Sequence, residues 1–230
     1  MRIRLSSPST FVVIVVVGIF CTMHPTAQAA VVPDVGCTDA PRSDEYEIEV
    51  RQGNRRFPLF VYVTKSQWKT NRHPDTAWAS FDFTGTVTVR VTRLRGKVEA
   101  CRILPTSRHI QPRIVENAVE FEIDRPGFFS VEFENPPKHP LLVFANPPEK
   151  TRLEGGDPEV LYFGPGVHAP GEIQIAAGQT VYLARGAYVK GRIVGRNARG
   201  VCILGRGVLS GEDYPHRSGH LIALTGDSSD

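Results

Sequence analysis

An eleven-residue segment recurs at a spacing of twenty, and few folds can accommodate it. Residues 161–171 read LYFGPGVHAPG, 181–191 read VYLARGAYVKG and 201–211 read VCILGRGVLSG. A fourth copy is expected to begin at Leu221 (LIALTG). The first column of the repeat is Leu161, Val181, Val201 and Leu221, and the third is Phe163, Leu183, Ile203 and Ala223. Apolar residues two apart lie on one face of a strand. The eleventh column, Gly171, Gly191 and Gly211, predicts a bend that needs positive φ or no Cβ. A strand and a bend at constant interval predict a parallel β-helix, with equivalent side chains stacked in ladders along its axis. Such solenoids present long grooves suited to extended polymers. A left-handed hexapeptide helix is disfavoured, because aliphatic residues show no strict period of six.

Upstream, the pattern changes to period two. Strands are predicted near 46–50, 58–64, 78–84, 86–93, 118–124, 128–134 and 141–146, separated by Gly, Pro and Asp turns. In 118–124, Val119, Phe121 and Ile123 face one way and Glu120 and Glu122 the other, the mark of a half-buried antiparallel strand. Seven such strands predict a β-sandwich of immunoglobulin size. Residues 146–158 (NPPEKTRLEGGDP) carry linker chemistry. The expected fold class is therefore all-β. A signal peptide occupies 1–29, an immunoglobulin-like β-sandwich 30–150, a linker 151–158, and the first coils of a right-handed parallel β-helix 159–230.

The amino-terminal stretch has Arg2 and Arg4, an apolar run over 11–20 (FVVIVVVGIF) and the small-residue pattern Ala27-Gln28-Ala29. This predicts a cleaved secretory signal, since the run falls short of the roughly 20 residues of a membrane span. The expected location is secreted or periplasmic, with no stable membrane insertion after cleavage. The two arginines account for two of the three net positive charges, leaving +1 on the mature chain. That balance gives no electrostatic footprint for nucleic acid. Export permits a disulfide among Cys37, Cys101 and Cys202, with Cys37–Cys101 the pair expected within one domain, but spacing does not fix the connectivity. The cysteines show no zinc spacing, and no cofactor or metal is expected.

Residues 162–168, 181–191 and 205–212 together resemble the opening coils of dextranases and isopullulanases, the glycoside hydrolases of family 49, which also place a β-sandwich before a right-handed β-helix. The polygalacturonases of family 28 share this pectin-lyase-type solenoid. The resemblance covers about 70 residues. It implies an inverting hydrolase acting on a polysaccharide, with an acid and a base about 6.5–9.5 Å apart. The polygalacturonase signatures Asn-Thr-Asp, Asp-Asp, Gly-His-Gly and Arg-Ile-Lys are absent, so no residue here is taken as catalytic and none is assigned to substrate. The expectation is that the chain is the N-terminal portion of a longer enzyme, ending inside a coil, with the catalytic acids beyond Asp230. A non-catalytic carbohydrate-binding or adhesin-type β-helix and a polysaccharide lyase are the competing readings. The oligomeric state is left open.

Within the chain, Glu212 and Asp213 follow a bend and read as turn acids, because neighbours on a strand point to opposite faces. Asp227 and Asp230 flank two serines in a turn. His216 and His220 are four apart, but in a loop with no third ligand in sight. Tyr182 and Tyr188 lie outside the coil core, either to stack on sugar or to cover the contact with the sandwich.

Overall fold

The computed structural model describes residues 30–66, 75–134, 138–215 and 217–228. The segment read as a signal peptide lies outside the described residues, as do His216 and Asp230. Eleven strands precede residue 147: β1 (Val31–Pro33), β2 (Tyr46–Gln52), β3 (Arg55–Leu59), β4 (Tyr62–Thr64), β5 (Thr76–Phe83), β6 (Val87–Arg93), β7 (Arg102–Leu104), β8 (Arg113–Val115), β9 (Ala118–Ile123), β10 (Gly127–Glu132) and β11 (Leu141–Asn146). One sheet runs β1-β5-β11-β10-β7, with β4 also on β5; the other runs β3-β2-β6-β9-β8. Alternation builds the layer between them. Val87, Val89 and Val91 of β6 are buried, as are Val119, Phe121 and Ile123 of β9, and they meet Phe81, Phe129, Val131 and Val143 from the facing sheet.

The sandwich has more strands than the seven expected. The stretch 58–64 reads as one strand because Leu59, Val61 and Tyr62 are all buried. It instead changes sheets at Phe60, whose N–H donates to the Asp34 carbonyl (2.9 Å) while the Val61 carbonyl accepts from Ser43 N–H (2.8 Å). Before that point it pairs with β2, and after it with β5. β1, β7 and β8 are three residues each, too short for a period to register. Glu120 corrects a second expectation. It faces away from the core yet is only 8% exposed, because Arg51 (3.1 Å), Arg90 (2.7 Å) and Arg113 (2.5 Å) close around its carboxylate.

The second part contains β12 (Val160–Phe163), β13 (Gly166–Gln174), β14 (Thr180–Leu183), β15 (Ala187–Arg196), β16 (Cys202–Gly205), β17 (Val208–Ser210) and β18 (Ile222–Thr225). All pair in parallel, in a sheet β12-β14-β16 and a sheet β13-β15-β17, with β18 also on β15. This is a parallel β-helix. Val181, Leu183, Ala187, Val189 and Ile193 form its buried centre, with Leu161, Phe163, Val201, Ile203 and Leu209 packed against them.

The register is subtler than a period of twenty. Leu161 lies beside Val181, but Val181 lies beside Ile203, not Val201. The slip is two residues, so each side chain keeps its face. The next turn is two residues shorter and restores the offset, since Tyr188 lies beside Val208. That turn requires glycine: a Cβ on Gly205 would sit 1.9 Å from the Leu183 carbonyl oxygen, and one on Gly207 would sit 2.7 Å from that of Ala184. The eleventh column is also heterogeneous. Gly171 has φ of 70°, whereas Gly191 has no positive φ and is small because the Gly171 carbonyl oxygen would lie 2.3 Å from its Cβ.

The expected fourth copy is overturned. Ile222 lies beside Ile193, so residues 222–225 complete the third coil. Residues 211–215 and 217–221 lie in a loop between β17 and β18.

Candidate functional site

The inserted loop overhangs the outer face of β15. Along that strand Val189 and Ile193 point inward, so Tyr188, Lys190 and Arg192 point out. The preceding coil contributes Glu172 beside Arg192, and the following coil Ser210 beside Lys190. Two adjoining clusters result.

In the first, Glu212 accepts from Tyr188 Oη (2.5 Å), Ser210 Oγ (2.9 Å) and Lys190 Nζ (2.7 Å). Partial burial opposes its charge, but the hydrogen bonds from Lys190, Tyr188 and Ser210 outweigh it and hold the carboxyl below the ordinary glutamate range. Burial, helped by the bond to Glu212, pushes the Tyr188 hydroxyl up to about 12. At neutral pH the carboxylate stays ionised and committed and the phenol stays a donor, so this pair is not a poised acid and base.

In the second, Arg192 donates from Nε (3.0 Å) and Nη2 (2.6 Å) to Glu172 Oε2, while Glu172 Oε1 accepts from Gln174 Nε2 (2.6 Å). The guanidinium lies 5.1 Å from the centre of the Tyr214 ring. Arg192, Tyr214, Pro215, Ser218, His220 and Leu221 line a concavity of about 160 Å³. Asp213 is exposed and makes no hydrogen bond among the described residues. Asp227 stands in the turn after β18, 3.6 Å from Arg199 Nη2. Among the described residues, no three His, Cys, Asp or Glu side chains converge as a metal site would require.

Both tyrosines cover contacts within the chain. Tyr188 stacks at 6.2 Å on Tyr62, which stacks at 4.2 Å on Trp78. Tyr182 stacks on Tyr162 at 5.8 Å and donates to Glu149 Oε1 (2.9 Å).

The sequence reading missed what joins the sandwich to the coils. Asp82 on β5 is 2% exposed and accepts from Arg185 Nη2 (2.6 Å) and Arg206 Nε (2.9 Å), which stand in equivalent turns of successive coils. Glu149 N–H adds a third bond to it (3.2 Å). The signal was present as the twin Arg185-Gly186 and Arg206-Gly207 steps, whose spacing of twenty-one hid them from an alignment at twenty.

Cys37, Cys101 and Cys202 are free. Cys37 packs with Tyr62 and Tyr188 at the junction, whereas Cys101 packs against the sandwich core. Burial raises both thiols, that of Cys101 to about 12, so neither is a thiolate nucleophile at neutral pH. A larger groove of about 840 Å³ crosses the sandwich, but the arginines at its floor already serve Glu120 and Arg108 donates to the Pro126 carbonyl.

No protein-family profile matches the chain, and no curated protein matches it. Among solved structures it is similar to Dex49A from Penicillium minioluteum, with a TM-score of 0.65 and 18% identity over 86% of this chain and 54% of that one. The chain thus spans about half the length of that structure, and at this identity the likeness is one of fold.

Proposed function

We propose that this chain is the N-terminal portion of a secreted, polysaccharide-degrading glycoside hydrolase, comprising a sandwich of residues 30–150 joined through 151–158 to the opening coils of its β-helix. The observation that carries this reading is the order of a β-sandwich followed by a parallel β-helix, with the likeness to Dex49A extending through both. An outer coil face with Tyr214 and a concavity at its edge suits a glycan chain laid along the solenoid. The chemistry is inverting hydrolysis of O-glycosidic bonds in a dextran-, pullulan- or polygalacturonan-like polymer, with no cofactor. The acid and base belong to coils beyond Asp230. Glu172 and Glu212 are each paired with a cation, Arg192 and Lys190, and so neither is a free carboxyl poised for general acid or base work.

The test is reducing-end release from dextran, pullulan and polygalacturonate by the purified gene product and its Glu212→Gln, Asp213→Asn and Asp227→Asn variants. Turnover on one polymer, retained within about threefold by all three variants, supports the reading. A loss of a hundredfold or more in any variant, the scale of a missing general acid or base, would place the catalytic acid in these coils and refute it.

A further inference from the structure

We propose that the concavity lined by Arg192, Tyr214, Ser218, Gly219 and His220 is a subsite for an anionic substituent of a glycan, a carboxylate or a sulfate ester. This inference rests on the polysaccharide reading above and adds the chemistry of one subsite. Three observations converge on it. Glu172 engages Arg192 through Nε and Nη2 alone, which leaves Nη1 without a hydrogen-bond partner among the described residues. Nη1 lies at the wall of the concavity, since a Cβ on Gly219 would be 3.2 Å from it, and the φ of 144° at Gly219 is one that side-chain-bearing residues avoid. Ser218 Oγ and the His220 ring, on the same loop, also lack hydrogen-bond partners among the described residues, so the lining offers unused donors and no unused carboxylate.

A guanidinium held side-on by one carboxylate presents its end-on fork to a second oxyanion, and that planar, two-point geometry is what carboxylate and sulfate oxygens match. The brace matters as much as the charge. Glu172 on one side and the Tyr214 ring on the other fix the guanidinium before any ligand arrives, which lowers the cost of ordering a long side chain on binding. The volume of about 160 Å³ leaves room for the anionic substituent. The remainder of a polymer would pass along the exposed coil face.

Affinity electrophoresis of the purified gene product through gels containing dextran, carboxymethyl-dextran or dextran sulfate tests this, because the three share one backbone and differ in charge. Retardation by either charged polymer is expected at a dissociation constant at least tenfold below that for dextran, and the two charged polymers separate carboxylate from sulfate preference. Arg192→Gln is expected to weaken charged-polymer binding about tenfold or more, the scale of a charge-assisted hydrogen bond. Arg56→Gln removes an equal charge from an exposed sandwich arginine and is expected to change nothing. Should Arg192→Gln fail to fold, Ser218→Ala is expected to weaken binding by about two- to tenfold. Equal retardation by all three polymers, or charged-polymer binding that is indifferent to both Arg192 and Ser218 or equally sensitive to Arg56, overturns the subsite while leaving the polysaccharide reading intact. No retardation by any of them, combined with no hydrolysis of dextran, pullulan or polygalacturonate, overturns both.

Discussion

Asp82→Asn isolates the joint between sandwich and coils. The substitution preserves shape and removes one charge that two arginines share. The carboxylate is 3% exposed, against 13% for the Arg185 side chain and 24% for Arg206. Arg206 also donates to the Pro147 carbonyl (2.8 Å) and keeps some access to water. Arg185 does not: its Nε and Nη1 are buried without a hydrogen-bond partner among the described residues, and Asp82 is the carboxylate it bonds directly, with Asp34 a more distant charge. Removing one partner of a buried ion pair costs about 3–5 kcal/mol, because the remaining charge is left uncompensated. The exposure of Arg206 argues for the lower end, about 3 kcal/mol. Urea unfolding followed by tryptophan fluorescence reads this well, because Trp78 stacks on Tyr62, which in turn meets Tyr188 across the joint. The midpoint should fall by the corresponding amount at unchanged slope. Asp75→Asn is the control. It breaks the exposed pair with Lys65 and should cost less than about 1 kcal/mol. A loss under about 1 kcal/mol for Asp82→Asn, equal to that of the control, would refute the claim that this carboxylate fastens the two parts.

Three further outcomes follow from the same contacts. The Arg90 hydrogen bond, with those of Arg113 and the charge of Arg51, holds the Glu120 carboxyl below its usual range despite burial; its contribution is therefore full above the unfolded value of about 4.3 and lost as pH falls through the lower folded value, so Glu120→Gln should lower stability at pH 7 and flatten the acid side of a melting-temperature profile. Gly191→Ala should lower the melting temperature by several degrees, because its Cβ would meet backbone rather than a movable side chain, whereas loss of no more than a degree would show that the coils can spread. Tyr188→Phe should cost about 1 kcal/mol in chemical denaturation and raise the Glu212 carboxyl measured by NMR titration, since one of its three donors disappears.

The core of both parts was legible because it rests on periodicity. Period two placed Val119, Phe121 and Ile123 inside the sandwich, and the twenty-residue ladder placed Val181, Leu183 and Ile203 inside the coils, even though the true register slips by two. An even slip preserves facing, so the error left no trace in burial. What was lost depends on contacts between segments distant in sequence. Glu120 looks solvent-facing until three arginines from β2, β6 and β8 surround it, and Asp82 looks the same until two coil turns arrive more than a hundred residues later. Leu221 reads as the head of a new coil because an insertion of nine residues relative to β15 restarts the count near twenty. The concavity beside Arg192 arises from that insertion, which is why the sequence reading named His220 but did not connect it with Arg192 or Tyr214.

The central claim is that these coils belong to an inverting polysaccharide hydrolase. Proton NMR of the anomeric signals during the first turnovers of the purified gene product on its polymer tests it most directly. The account expects the newly formed reducing end to appear first in the configuration opposite to that of the cleaved bond, and then to mutarotate. First appearance with retained configuration, the mark of a nucleophilic carboxylate about 5 Å from the acid, would contradict it, as would a polymer cleaved with formation of an unsaturated sugar instead of a hydrolysed one.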